Sequence, residues 1–162
     1  MKPLSMKRLF HYPTYTRLHG ILAAQEIKAA NLYVQPPEKP VVWFSFRLDW
    51  EPTATPMDKT RPSHQLTFDE LAQIDTPARI EINLLAAPLD WRAWRKLSGV
   101  KSKMVKALEE YALRRNASMA DWRMSFEPAR VADGNWVAIE LFVQGEWRDI
   151  DDVVRKPATV KQ

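Results

Sequence analysis

The alternation of apolar and polar positions is clearest between Trp136 and Val143, where it has the period of two that is typical of a β-strand. One face of this strand would carry Val137, Ile139, Leu141 and Val143, and the other would carry Trp136, Ala138, Glu140 and Phe142. Because Glu140 would lie among apolar and aromatic neighbours, its carboxylate must be paired, hydrogen-bonded or directed into a cleft. Glu140 is therefore the first candidate for a functional residue.

Other segments also have strand patterns. Residues 41–46 are rich in β-branched and aromatic side chains, and residues 78–85 alternate apolar positions with Arg79, Glu81 and Asn83. The second pattern predicts a strand with one solvated face, so Glu81 needs no functional explanation. Shorter strands are predicted at 8–12, where Pro13 ends the strand, at 122–126 and at 147–150.

Helical signals lie between these strands. Thr14 is a predicted N-cap for a helix over 15–25, and Thr67 with Glu70 has the capping-box spacing for a short helix that ends near residue 74. Segments 89–97 and 101–115 have helical periodicity. Residues 31–40 and 49–62 each contain three prolines and predict connections, of which the second is long enough to favour a functional or mobile loop.

The order of these elements predicts the fold class. Strands come early, helices lie in the middle and a meander of strands follows, with no strict βαβ alternation and no glycine-rich phosphate loop. We expect one α+β domain over residues 1–162, with a mostly antiparallel sheet and flanking helices. The last residues, 155–162, are expected to form a frayed tail.

Composition limits the function classes. The 162 residues include 46% apolar and 27% charged positions, which is typical of a soluble globular chain. There is no cysteine, so disulfides and thiolate zinc sites are excluded, and the three scattered histidines predict no metal site. We find no run of eighteen apolar residues and no apolar stretch typical of a signal peptide, so we expect no membrane segment and a cytoplasmic location. The net charge of +4 permits an anionic partner such as a nucleotide or nucleic acid.

Three short segments carry candidate chemistry: His11-Tyr12 on the first strand, Trp43-Phe44-Ser45 on the second, and Glu140 on a late strand. Taken singly, each has an ordinary structural explanation. A histidine on a strand is usually packed or exposed, a strand serine usually bonds to backbone, and a carboxylate among apolar residues can belong to a structural ion pair.

Taken together and in this order, the three segments resemble the ADP-ribosyltransferase superfamily, in the branch that has His on the first strand. Its members have a split antiparallel sheet around a cleft that binds NAD. The resemblance implies an enzyme that uses NAD as its substrate and cleaves the bond between nicotinamide and ribose. The nucleotide would therefore be the first partner, and the acceptor, a protein or a nucleic acid, stays open.

The resemblance also implies roles for six residues. Glu140 would be catalytic and would stabilise the oxocarbenium-like ribose. The cofactor-binding residues would be His11 at a ribose or phosphate oxygen, Ser45 at the ribose, Tyr12 or Trp43 stacked on a ring, and Arg47 at the pyrophosphate. Ala138 stands where many members with Arg on the first strand have Glu or Gln, so modification of protein arginines is not expected. The segments 43–45 and 50–54 also resemble a small bacterial family to which no function is attached.

An alternative is a non-enzymatic interaction module, which would bind a protein or a nucleic acid through exposed tryptophans and basic helices. Trp91 and Trp94 are interleaved with basic residues in the two central helices, a pattern that could contact phosphates or stack bases. This hypothesis assigns importance to Trp91, Trp94 and Lys101 and none to Glu140. A solvated helix face is the simpler interpretation of the same pattern.

Overall fold

The computed structural model describes residues 7–30, 34 and 36–154. It has one antiparallel sheet of six strands in the order β5-β3-β1-β4-β7-β8 and a second sheet formed by the two short strands β2 and β6. The strands are β1 (Leu9–His11), β2 (Glu26–Ile27), β3 (Val42–Ser45), β4 (Ala78–Ile82), β5 (Trp122–Ser125), β6 (Ala129–Arg130), β7 (Trp136–Val143) and β8 (Glu146–Asp149). The helices are α1 (Tyr15–Ala24), α2 (Phe68–Ile74), α3 (Trp91–Leu97), α4 (Ser102–Arg114) and α5 (Ile150–Val154).

Both faces of the large sheet are covered. Residues opposite each other on antiparallel strands point to the same side, so the strand register separates the two faces. On one face, a core that includes Leu9, Phe44 and Ile80 packs against α1, α5 and the small sheet. On the other face, Phe10 packs with α2, and a cluster around Trp94 packs with α3 and α4.

The sheet is split between its second and third strands, β3 and β1. β1 and β3 pair at one position, Phe10 opposite Ser45, whereas β1 and β4 pair at three positions and β3 and β5 at four. Beyond Phe10 the chain enters Pro13, which cannot donate a backbone hydrogen bond, and then the helix capped by Thr14. The missing pairs leave a gap in the sheet that opens toward α1.

The predicted class, α+β with a mostly antiparallel sheet, is confirmed, as are the capping box at Thr67 and the N-cap at Thr14. The predicted strand over 78–85 ends at Ile82 and continues as a 3₁₀ turn. The short sheet of β2 and β6 was not predicted, and Ile150 begins a helix rather than ending a strand. The predicted frayed tail lies outside the described residues.

Two side chains lie elsewhere than the alternation predicted. A β-bulge at Glu81 and Ile82 shifts the register, so Trp136 lies opposite Ile82 and joins the core face instead of the face of Glu140. Arg79, predicted to be solvated, is 5% exposed, and its guanidinium lies between the rings of Phe10 and Trp147. No helix in the described ranges has both the length and the apolar character needed to cross a bilayer.

Candidate functional site

A cavity of about 790 Å³ opens where β1 and β3 separate. Side chains from both sides of the sheet line it, because the gap between the two strands connects the two faces. α1 and β2 form one wall, and the loop 51–57 and α4 form the opposite wall. The split in the sheet is therefore the structural origin of the cavity.

His11 fills part of this split. Its Nδ1 lies 3.0 Å from the carbonyl oxygen of Trp43 on β3. In a continuous ladder between β1 and β3, such a carbonyl would instead accept a hydrogen bond from a backbone amide. Burial lowers the pKa of His11, and the nearby Arg17 lowers it further. The imidazole is therefore neutral at pH 7, and since a carbonyl only accepts, Nδ1 carries the proton. Nε2 is left as a hydrogen-bond acceptor.

Ser45 and Glu51 form a buried polar pair on the same side of the cavity as α4. Ser45 Oγ donates to Glu51 Oε2 at 2.8 Å and accepts from the amide of Arg47 at 3.2 Å. The other carboxylate oxygen, Oε1, accepts from the hydroxyl and the amide of Thr53 at 2.6 and 3.3 Å. The single proton of the serine hydroxyl is thus donated to Glu51, and it orients that carboxylate.

Aromatic rings form much of the remaining surface. Trp43 and Trp122 line the cavity, with their ring centroids 5.7 Å apart, and the hydroxyl of Tyr111 accepts a hydrogen bond from Gln65. Tyr12 donates its hydroxyl proton to the carbonyl of Arg47, and burial raises the pKa of this phenol. The tyrosine is therefore a fixed neutral wall.

Four of the six predicted site residues line this cavity: His11, Tyr12, Trp43 and Ser45. Arg47 does not. Its guanidinium is held by Asp49 at 3.4 Å and by the carbonyl of Asn116 at 3.3 Å. Among the described residues, the cations that line the cavity are Arg17 and Lys28.

Glu140 also lies outside the cavity. The register places it on the face opposite to His11, on a strand separated from β1 by β4. Its Oε1 accepts hydrogen bonds of 3.1 Å from both Arg8 and Arg79. The sequence predicted that this carboxylate would be paired, hydrogen-bonded or directed into a cleft, and in the structure it is paired with two arginines. His11, Ser45 and Glu140 do not meet in one cleft.

Sequence reasoning missed Glu51, the cavity's buried carboxylate. The residue is 6% exposed although it stands in a loop, where acidic side chains are usually solvated. The sequence contains one indication of its role. An acidic residue two positions before Thr53 can accept a hydrogen bond from the Thr53 amide and so cap a turn, and Glu51 does cap the 3₁₀ turn Pro52–Ala54. The cap could be found from sequence, but its position beneath Ser45 could not.

The tryptophans proposed as an exposed binding surface are packed together. Trp94 is 1% exposed and stacks on Trp91 at a centroid distance of 5.0 Å, and Trp91 also contacts Trp43 and Trp122. These rings stabilise the contact of α3 with the sheet. The basic residues Arg92, Arg95 and Lys96 remain exposed.

The chain matches no protein-family model, and neither the curated proteins nor the solved structures contain a match. Within the ranges that the structure describes, no group of three or more His, Asp or Glu side chains is arranged to hold a metal ion.

Proposed function

We propose that this protein binds a dinucleotide of the NAD type in the cavity between β1 and β3. The observation behind the proposal is that His11, Tyr12, Trp43 and Ser45, chosen from their order in the sequence, line one cavity at a split in the sheet. A volume of about 790 Å³ is in the range of small-molecule and cofactor sites.

The lining suits the parts of such a ligand. The rings of Trp43 and Trp122 offer surfaces for a flat heterocycle, and His11 Nε2 can accept a hydrogen bond from a ribose hydroxyl. Arg17 and Lys28 take the place proposed for Arg47 at the phosphates. Lys28 lies 3.7 Å from Glu26, so Arg17 is the stronger candidate for the phosphates.

Cleavage of the nicotinamide–ribose bond is the enzymatic form of this proposal. It requires a carboxylate beside the ribose, to offset the positive charge that develops when the bonding electrons leave with nicotinamide. Glu140 is outside the cavity, so this chemistry would belong to groups that line the cavity. Binding and cleavage are for this reason tested separately.

Tryptophan fluorescence gives a direct test of binding, because Trp43 and Trp122 line the cavity. Titration with NAD should quench the emission with saturation, and Trp43→Phe should weaken the affinity about tenfold, the equivalent of one lost stacking contact. Trp91→Phe is the matched control, since Trp91 belongs to the same cluster and does not line the cavity. Equal losses in both variants, or no quenching of the wild type, would reject the cavity as the site. Released nicotinamide, followed by chromatography, reports cleavage.

A second candidate is binding of an anionic macromolecule by α3 and α4. It is favoured by the exposed cations of these two consecutive helices: Arg92, Arg95, Lys96, Lys101, Lys103 and Lys106. A mobility shift with single-stranded or duplex nucleic acid should weaken steeply with salt and should be lost on replacing Lys101 and Lys103 by glutamine. A salt-insensitive shift would contradict this candidate.

A further inference from the structure

Glu51 differs from three less buried carboxylates of the described chain in having no cationic partner. The side chains of Asp58, Glu81 and Glu140 are between 11% and 17% exposed, and each accepts a hydrogen bond from an arginine. Glu51 is more deeply buried, and in the described ranges no Lys, Arg or His nitrogen lies within ion-pair distance of its carboxylate. A buried anion without a countercharge is costly.

Three neutral hydrogen-bond donors offset part of this cost. Ser45 and Thr53 hold both carboxylate oxygens with hydroxyl and amide hydrogen bonds, so the group is fixed in position. A carboxylate has about four lone-pair sites, and the three bonds leave one of them open. Glu51 also lines the cavity, so a molecule bound there would lie beside this residue.

The surroundings of Glu51 suit a positive charge on a planar group. Tyr12, Trp43 and Trp122 line the same cavity, and aromatic faces attract cations, most strongly when water is excluded. The cations of the cavity, Arg17 and Lys28, come from α1 and the end of β2, on the wall opposite to the loop that carries Glu51. Glu26 lines that second wall as well and pairs there with Lys28 and Arg130, so the loop wall carries Glu51 and the opposite wall carries charges of both signs.

We infer that Glu51 is the anchor for a positively charged ring of the ligand. This rests on the proposed function and deepens it: the oxidised nicotinamide ring, a pyridinium, would lie at the wall of Glu51, and the phosphates would lie toward Arg17. The contribution is to binding, because attraction to the ring cation holds the ligand in one orientation. Ser45 acts as a positioning residue for the carboxylate.

The reduced dinucleotide is the natural probe, because NADH has the same size as NAD but a neutral ring. The wild type should bind NAD about tenfold more tightly than NADH, because a partly desolvated contact with a cation changes affinity by about this factor. Glu51→Gln should bind both forms with similar affinity, and Glu110→Gln, the same change on an exposed position of α4, should keep the preference. Equal affinities in the wild type, or a preference that survives in Glu51→Gln, would overturn the inference.

Failure of the proposed function gives a different result. If neither dinucleotide binds, titration continues with the N-methylnicotinamide cation and with neutral nicotinamide. Binding of the cation alone, lost in Glu51→Gln, would support the anchor while rejecting the dinucleotide; no preference for the cation would overturn the anchor as well. Because the comparison of charged and neutral ligands is made first in the wild type, a Glu51→Gln protein that fails to fold does not block the test. In that case Ser45→Ala, which releases one carboxylate oxygen, should reduce the preference.

Discussion

Glu140 Oε1 lies 3.1 Å from Nε of Arg79, and this pair joins β7 to β4 at opposed positions of the ladder. Arg79 is held on every side: its guanidinium lies 4.4 Å from the ring centroid of Phe10 and 4.5 Å from that of Trp147, and it donates to the carbonyl of Leu48. A buried guanidinium of this kind needs its counterion. The pair is thus part of the architecture of the sheet.

Glu140→Gln should therefore lower stability and leave ligand binding in the cavity unchanged. The amide keeps one acceptor oxygen but removes the charge that balances Arg79 and Arg8, so we expect a loss of about 1–3 kcal/mol in the free energy of unfolding. Urea denaturation measures the loss. Glu110→Gln serves as the control and should change stability by less than about 0.5 kcal/mol. A stable Glu140→Gln protein with weakened NAD binding would restore Glu140 to the site.

The alternation of the sequence was sufficient to predict most strands, because each strand of this antiparallel sheet has at least one face in a core. It could not predict which strands become neighbours. β4 pairs with β7, so Glu140 lies opposite Arg79, a residue 61 positions earlier in the chain. Pairing across such distances depends on tertiary packing that a single sequence does not encode locally.

Part of the candidate site could also be predicted from the strand patterns and their ends. His11 and Ser45 lie on adjacent strands, and the break after His11 was visible in Pro13 and the cap at Thr14. The contribution of Glu51 was hidden, since its burial depends on the loop folding back under Ser45. Trp94 was hidden as well, because periodicity shows which face of a helix is apolar but not what covers it.

His11 should make stability depend on pH. Its pKa is lowered in the folded protein, so as the pH falls below the ordinary value of 6.5 the unfolded chain takes up the proton first. The contribution of His11 is complete above that value and is lost as the pH falls toward the lowered pKa. Stability measured by denaturation between pH 7.5 and 5 should therefore decline more steeply in the wild type than in His11→Asn.

Asparagine is chosen because its amide can replace Nδ1–H as donor to the carbonyl of Trp43. The control is His19→Asn, at an exposed position of α1, which should retain the wild-type slope. If the His11→Asn protein shows the same decline as the wild type, the neutral, partly buried imidazole is not the source of the pH dependence.

Ser45→Ala should affect both stability and ligand binding. The hydroxyl is buried, donates to Glu51 and accepts from the amide of Arg47, so its removal should cost about 1–3 kcal/mol. Ser125 on the adjacent strand is the matched control: its buried hydroxyl bonds to the backbone of Glu127 and it does not line the cavity. Both alanine variants should lose stability in urea denaturation. Weaker binding of NAD should occur in Ser45→Ala alone, and equal affinities in the two variants would contradict the role given to Ser45.

Three glycines should respond to alanine in different ways. Gly20 is in the middle of α1 and a methyl group there would meet no atom within 4 Å, so Gly20→Ala should stabilise the protein by about 0.5–1 kcal/mol. Gly134 has φ +70° with open space around it, and its substitution should cost about 1–2 kcal/mol.

Gly99 has both a positive φ and a close neighbour, so it should be the most sensitive of the three to alanine. Its φ is +78°, and a methyl group would lie 2.6 Å from the carbonyl oxygen of Pro37, so Gly99→Ala must move backbone that joins the end of α3 to the segment before β3. We expect a loss that exceeds that of Gly134→Ala by about 1–3 kcal/mol. Denaturation of the three variants in parallel separates backbone strain from the steric clash. Equal losses for Gly99→Ala and Gly134→Ala would mean that the segment at Pro37 yields freely, and that α3 is not fixed to it.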